Sequence, residues 1–445
     1  MKNTKYIVLC SVLATGLGAC GGAQKAGGSG GDGAVTDQAA DAPPPPGMGA
    51  EPEKIDRAVT ADAKKDFGGA IAFYQDKAKE GWTPGNCEAA ADKFLDVASS
   101  HDKMVEAYFN AGRAYHNCGQ TKQAEEQYQR ALKVSASHAK SLEALGEIYY
   151  RGGNEQRASQ YWQRAVKANP KTEAARNNLA WTLIQKMGRT SDKRAWQKYE
   201  DEAKGHLSRV LAVNTENVEA YVLYALLYMQ GSERNRNRLD LAKLLLEEGA
   251  KRDANYPPLW NARGLLFLKR NNVGSALSSF EKAVELAPEF AEAQLNVGNI
   301  VLDFRRYDYA KTKFEAVVKL EPENYDALVG LGIAQRGLGD LDAAEASYEK
   351  AKKIDQKRPD SVYNLGVLYK DFRATRAADE KATIDAYKTA KIHFQQVLGK
   401  SGLSKSQRRD VQDNIEDIDK AVKMLEQAIE IKKQMEQQQA QGGQG

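Results

Sequence analysis

Residues 280–288 read FEKAVELAP and residues 314–322 read FEAVVKLEP, a near-copy displaced by 34 residues. A chain that repeats one short unit at fixed spacing folds as a row of like units, each burying one face against the next. The clearest unit is 257–290, built on Trp260, Gly264, Phe267, Ala276, Phe280, Ala283 and Pro288. Gly264 and Ala276 are small where two antiparallel helices must approach closely. Trp260, Phe267 and Phe280 fill the space around that contact, and Pro288 ends the second helix and starts the next turn. No stretch alternates with period two, so the chain is expected to be all-α, without a sheet.

The skeleton recurs. Gly112, Tyr115, Ala124, Tyr128 and Ala131 mark one copy; Gly146, Tyr149, Ala158, Trp162, Ala165 and Pro170 mark the next. Gly298, Ala310, Phe314 and Pro322 follow the clearest unit, then Gly332, Ala344, Tyr348 and Ala351, then Gly366 and Tyr369 with Ala390 and Phe394. Two less regular copies carry Ala180, Ala203 and Leu207, and Tyr228, Ala242 and Leu246; a worn leading copy with Ala90 and Phe94 starts near Phe67. This pattern resembles the tetratricopeptide repeat over residues 67–404, as one degenerate plus eight units. The resemblance implies a right-handed superhelical solenoid of helix-turn-helix repeats. Asn154, Asn272 and Asp340 stand where a side-chain oxygen can cap each second helix. Extra residues around KMGRTSDKRAW, SERNRNRL and RATRAADEKATI are polar and helix-favouring, and are expected to lengthen helix ends.

The two ends read differently. MKNTK supplies a positive start and YIVLCSVLATG an apolar stretch, so residues 1–20 read as a signal peptide. Leu17-Gly18-Ala19-Cys20 resembles a bacterial lipobox, which implies that Cys20 receives a diacylglycerol and other acyl chains such as palmitate; the competing reading is a plain secretory signal. Gly21 in place of aspartate implies, by the same resemblance, sorting to the outer membrane, facing the periplasm. Residues 21–65, rich in Gly, Ala and Pro, are expected to be a disordered tether. Residues 405–436 are expected to form one long helix, whose Val411, Ile415, Ile418, Val422, Leu425 and Ile429 recur every three and four residues. That stripe suits a cap on the last repeat or a coiled coil with a partner; 437–445 is expected to be a disordered tail.

Little in the chain points to chemistry. A formal net charge of +4 over 445 residues gives no concentrated basic face for nucleic acid. His101, His116, His138, His206 and His393 fall singly, and Cys10, Cys20, Cys87 and Cys118 lack zinc spacing, so no metal is expected. The GGSGG at 27–31 has no strand-turn-helix around it, and the GKS at 399–401 has Phe394 where a phosphate loop needs glycine. No catalytic residue, cofactor or small-molecule substrate is expected, and the chain reads as a non-enzyme. Stacked repeats put Cys87, where a second helix starts, beside Cys118, where the next first helix ends. In an exported protein these can form a disulfide; the alternative is two buried thiols.

The family resemblance also implies a concave groove lined by the first helix of each repeat. Its expected wall comprises Trp181, Ile184, Val222, Leu226, Met229, Leu265, Leu268, Leu295, Asn299, Leu302, Val329, Ile333 and Tyr363, an apolar set. Glu292, Asp326 and Asp360 stand where carboxylate-clamping members of the family place basic residues, so that activity is not carried over. The expected function is a lipid-anchored scaffold whose groove docks a segment of another envelope protein, mostly by apolar burial. It resembles the repeat lipoproteins of myxobacterial gliding-motility complexes. Alternatives are a pilotin-like assembly factor for a type IV pilus or secretion secretin, or an enzyme or ligand carrier supported by repeats.

Overall fold

The computed structural model describes residues 52–55, 59–101 and 104–442. The expected signal peptide, the lipidation site Cys20, and residues 21–51 and 56–58 of the expected tether lie outside the described residues.

Nineteen α-helices and no strand are found among the described residues. They are α1 (Ala61–Glu80), α2 (Pro84–Ser100), α3 (Val105–Asn117), α4 (Thr121–Val134), α5 (Ala139–Arg151), α6 (Glu155–Ala168), α7 (Glu173–Arg189), α8 (Lys193–Val213), α9 (Val218–Gln230) and α10 (Arg238–Arg252). There follow α11 (Pro257–Lys269), α12 (Val273–Leu286), α13 (Ala291–Asp303), α14 (Tyr307–Leu320), α15 (Tyr325–Leu338), α16 (Leu341–Ile354), α17 (Asp360–Val367), α18 (Glu380–Leu398) and α19 (Lys405–Gly442). Odd and even helices pair in order through α18, and α19 stands alone at the end. Two compact units divide the row within α13, one running to Ala293 and the other starting at Gln294.

In the first unit the helix pairs interlock through glycine and an aromatic ring. A Cβ added to Gly264 on α11 would stand 2.5 Å from Phe280 Cε1 on α12, and one added to Gly112 on α3 would stand 2.6 Å from Tyr128 Cε1 on α4. Gly146 on α5 meets Trp162 on α6 in the same way. All three rings are buried. In the second unit Gly298 and Phe314, Gly332 and Tyr348, and Gly366 and Phe394 repeat the arrangement. Gly264→Ala therefore sets two effects against each other. Alanine favours a helix over glycine by ~1 kcal/mol, but its methyl overlaps a ring that has nowhere to go, at a cost of ~1–3 kcal/mol. We expect a net loss of stability, read as a lower urea midpoint, where helix propensity alone would raise it.

The leading pair uses other means. Phe67 and Tyr74 on α1 set their rings 5.7 and 6.0 Å from Phe94 on α2. Helix α1 begins at Ala61, inside the span expected as tether, because Thr60 Oγ1 accepts from the Ala63 N–H at 3.2 Å and Ala63 and Phe67 anchor the first turns in the core. Asn154, Asn272 and Asp340 each accept from the backbone N–H three residues on, capping α6, α12 and α16.

The extra residues take three forms. Around KMGRTSDKRAW they lengthen α7 to 17 residues and α8 to 21. Within SERNRNRL, residues 232–237 instead form turns between α9 and α10, contrary to the helical expectation, since the Ser and Asn side chains compete for the backbone, and only Arg238 and Leu239 join α10. After α17, Leu368–Arg373 is π-helical and Ala374–Arg376 is 3-10 before α18 starts.

Helix α19 covers α17 and α18 with its first half. Val411 and Ile418 are buried there, Tyr363 Oη donates to Asp410 at 2.8 Å, and Lys391 Nζ donates to Asp419 at 2.6 Å. Beyond Val422 most of its side chains are exposed, Met424, Ile431 and Met435 among them. The helix continues past residue 436, through a run of Gln and Ala that favours helix, and stops only at Gly442. None of the described helices is long and apolar enough to cross a membrane.

Candidate interaction surface

Cys87 begins α2 behind the Thr83 cap, Cys118 follows α3, and the two are joined in a disulfide with Cα atoms 6.3 Å apart. It ties the leading pair to the next. The groove positions fare differently. Trp181, Ile184, Val222, Leu226, Met229, Leu265, Leu295, Leu302, Val329, Ile333 and Tyr363 are each less than a tenth exposed; Leu268 and Asn299 are half-buried. The buried ones are interior, because neighbouring helices of the same chain close over them. Trp181 shows how: its indole N–H donates to Tyr150 Oη of the preceding repeat at 2.7 Å.

Polar groups on and beside the first helices add hydrogen bonds between repeats. Asn177 Nδ2 on α7 donates to Glu219 Oε2 on α9 at 2.9 Å and to Asn217 Oδ1 at 3.2 Å. Asn214 and Asn217 donate to Glu173 Oε2 at 2.9 and 2.6 Å. In the second unit Tyr325 Oη on α15 donates to Ser361 Oγ on α17 at 3.2 Å, and Arg336 Nη1 donates to Asn364 Oδ1 at 3.1 Å. Each rung joins the first helix of one repeat to the next. Buried polar groups of this kind are held because they are paired, and they fix which helix meets which.

Charge follows the same arrangement. Burial raises the Glu219 carboxyl above its ordinary pKa against the Asn177 hydrogen bond, with Glu147 and Glu173 adding repulsion. Asp326 and Asp360, which the sequence places where a clamp would need cations, are engaged by Arg358 at 2.6 and 3.3 Å, and its guanidinium lies 3.9 Å from the Tyr325 ring centre. Sequence reasoning missed Arg336 and Arg358. Their only advance signal is a basic residue near the end of a first helix or just before the next one.

His116 on α3 is buried with its ring 6.3 Å from that of Tyr128. Burial, then the charges of Arg151 and Arg113, push its pKa down to about 3 from 6.5. The folded state keeps the ring neutral while the unfolded chain protonates it. Its contribution to stability is fully present above pH 6.5 and is lost as the pH falls toward 3. Between pH 7 and 4.5 this amounts to about 2–3 kcal/mol. His116→Gln should remove that much of the acid sensitivity in paired urea titrations; equal pH dependence in both chains would refute it.

What these elements amount to is a row of helix pairs joined by side-chain hydrogen bonds. The sequence profile of the tetratricopeptide repeat matches residues 118–171, 261–310 and 298–360, and a second profile of that repeat matches 410–435. This is a tetratricopeptide-repeat protein. The 410–435 match falls on α19, so the closing helix itself carries repeat-like sequence. Among curated proteins, the human O-mannosyl-transferase TMTC1 is 28% identical over 194 residues, 44% of this chain, and its mouse counterpart is 35% identical over 194 residues. The matched stretch is 20% and 19% of those proteins' lengths, so this tetratricopeptide-repeat chain spans about a fifth of the relatives it matches. Among solved structures, the human IFIT1 dimer with m7Gppp-AAAA gives a TM-score of 0.50 at 17% identity, covering 81% of this chain and 82% of that one. A monomeric IFIT1 mutant with Gppp-AAAA gives 0.52 at 18%, covering 77% and 82%. At these identities the likeness concerns the fold alone.

Proposed function

We propose that this protein is a non-enzymatic scaffold, held on the outer membrane by lipid at Cys20, that binds a segment of another envelope protein and so assembles or stabilises a membrane complex. Tetratricopeptide repeats imply protein partners in general, and the repeat match over 118–171 and 261–360 is the observation that carries the reading. The lipobox-like Leu17-Gly18-Ala19-Cys20 supports the anchor and the periplasmic setting. Several acyl chains, at ~0.8 kcal/mol per buried methylene, would hold the protein on a bilayer almost permanently. The resemblance to gliding-motility lipoproteins makes such a machine the first place to look for the partner.

The anchor is tested by metabolic labelling with palmitate. The wild-type protein should incorporate label and sediment with outer-membrane vesicles, and Cys20→Ser should do neither. Label retained in Cys20→Ser, or none in the wild type, overturns the anchor. A partner cross-linked in intact cells from Asn299, recovered with wild type and lost when the anchor is lost, is the expected result for the scaffold.

A further inference from the structure

Ahead of α1, a short stretch of the chain lies on the face formed by α3 and α5. The Glu53 backbone N–H donates to Asn110 Oδ1 at 2.8 Å, and Asn110 Nδ2 donates back to the Glu53 carbonyl at 3.0 Å. One fully buried amide thus reads both hydrogen-bonding groups of a single residue in a stretch without regular secondary structure. The Glu53 carboxylate sits 3.2 Å from His138 Nε2 and 3.1 Å from Lys140 Nζ, and only 12% of its side chain is exposed. The His138 ring is fixed by Ser141 Oγ at 2.8 Å and by the edge contact with Phe109, whose ring centre lies 5.4 Å away. Pro52 is buried, and Ile55 packs on the cluster that includes Phe67, Met104 and Ala107. Backbone, charge and apolar contacts converge on four residues.

We propose that the face of α3 and α5 is a binding site for an extended acidic segment, and that residues 52–55 occupy it as a ligand built into the same chain. Asn110 selects extended backbone, His138 with Lys140 selects a carboxylate at that position, and the apolar cluster takes the aliphatic side chain two residues on. Burial opposes the Glu53 charge, yet His138 and Lys140 outweigh it and keep the carboxyl below its ordinary pKa, so the charge is the recognised form. A segment tied this closely to its site competes at an effective concentration in the millimolar range. A second peptide therefore meets a filled site unless residues 52–55 are displaced. The proposal stands apart from the lipid anchor and from the envelope setting.

The test uses the full chain and a fluorescein-labelled peptide of its own residues 50–57, followed by anisotropy. The wild-type chain should bind the peptide weakly. Glu53→Lys, which expels the built-in segment, should bind it at least tenfold more tightly, and adding Asn110→Ala should abolish the gain. Lys140→Glu in the Glu53→Lys chain restores an ion pair in reversed sense and should return peptide binding to the wild-type level. This last variant keeps the question open to an answer should Asn110→Ala fail to fold, which circular dichroism reports. Equal peptide affinity in the wild type and in Glu53→Lys, or undiminished affinity in the charge-reversed pair, overturns the proposal.

Discussion

Phe314→Ala should lower the stability of the second unit by ~3–5 kcal/mol, the range for removing a buried aromatic side chain. The ring is fully buried and serves two contacts at once. Its Cε1 lies 2.8 Å from where a Cβ on Gly298 would stand, and its Cζ 2.5 Å from where one on Gly330 would stand, so it wedges α14 between α13 and α15. Deleting it leaves a cavity and loosens one repeat from the next. Repeats couple only to their neighbours, so the damage should be local. Hydrogen exchange should speed up in α13–α16 while α3–α6 keep wild-type protection. Phe314→Leu fills most of the space and should cost ~1 kcal/mol. Uniform deprotection across the chain, or no difference between the two substitutions, would contradict the wedge.

The second large effect concerns the other end of the row. The Cys87–Cys118 bridge closes a loop of 31 residues, which in the chain-entropy account stabilises by ~3–4 kcal/mol. Replacing both cysteines with serine, or adding reductant to the wild type, should release α1 and α2 from α3 and lower the first unfolding midpoint. Reductant should leave the double mutant unchanged. A wild-type midpoint insensitive to reductant, with two free thiols by mass, would instead favour the buried-thiol alternative.

The helix pairs were legible because their residues have few other reasons to recur. A glycine facing an aromatic partner on the next helix, in six copies, admits hardly any reading but close packing of two helices. Contacts between repeats were far less legible. Arg336 finds Asn364 and Arg358 finds Asp326 across 28 and 32 residues, and no local pattern encodes a partner that far away. The family resemblance pointed to the face of each first helix on which Trp181, Val222 and Ile333 lie, but not to how deeply those side chains are buried. Glu53 was hidden by its setting. A Pro- and Gly-rich composition marks a segment with little to bury, and gives no sign that one residue has a matched amide and two cations waiting for it. The start of α1 was missed for the same reason, since 61–65 continues the Ala- and Asp-rich composition of the expected tether until Phe67 finds Phe94.

The glycine-to-ring interlock also bears on how such a gene can lengthen or shorten. Each interlocking repeat keeps its glycine seat and its ring within one helix pair, so excising or duplicating one whole 34-residue period leaves every seat with its ring. Loss of half a period would instead leave a glycine without its ring, or a ring without its glycine. Tandem copying in whole periods is therefore the mutational step this architecture tolerates best, and variation in length among its descendants should come in multiples of that unit.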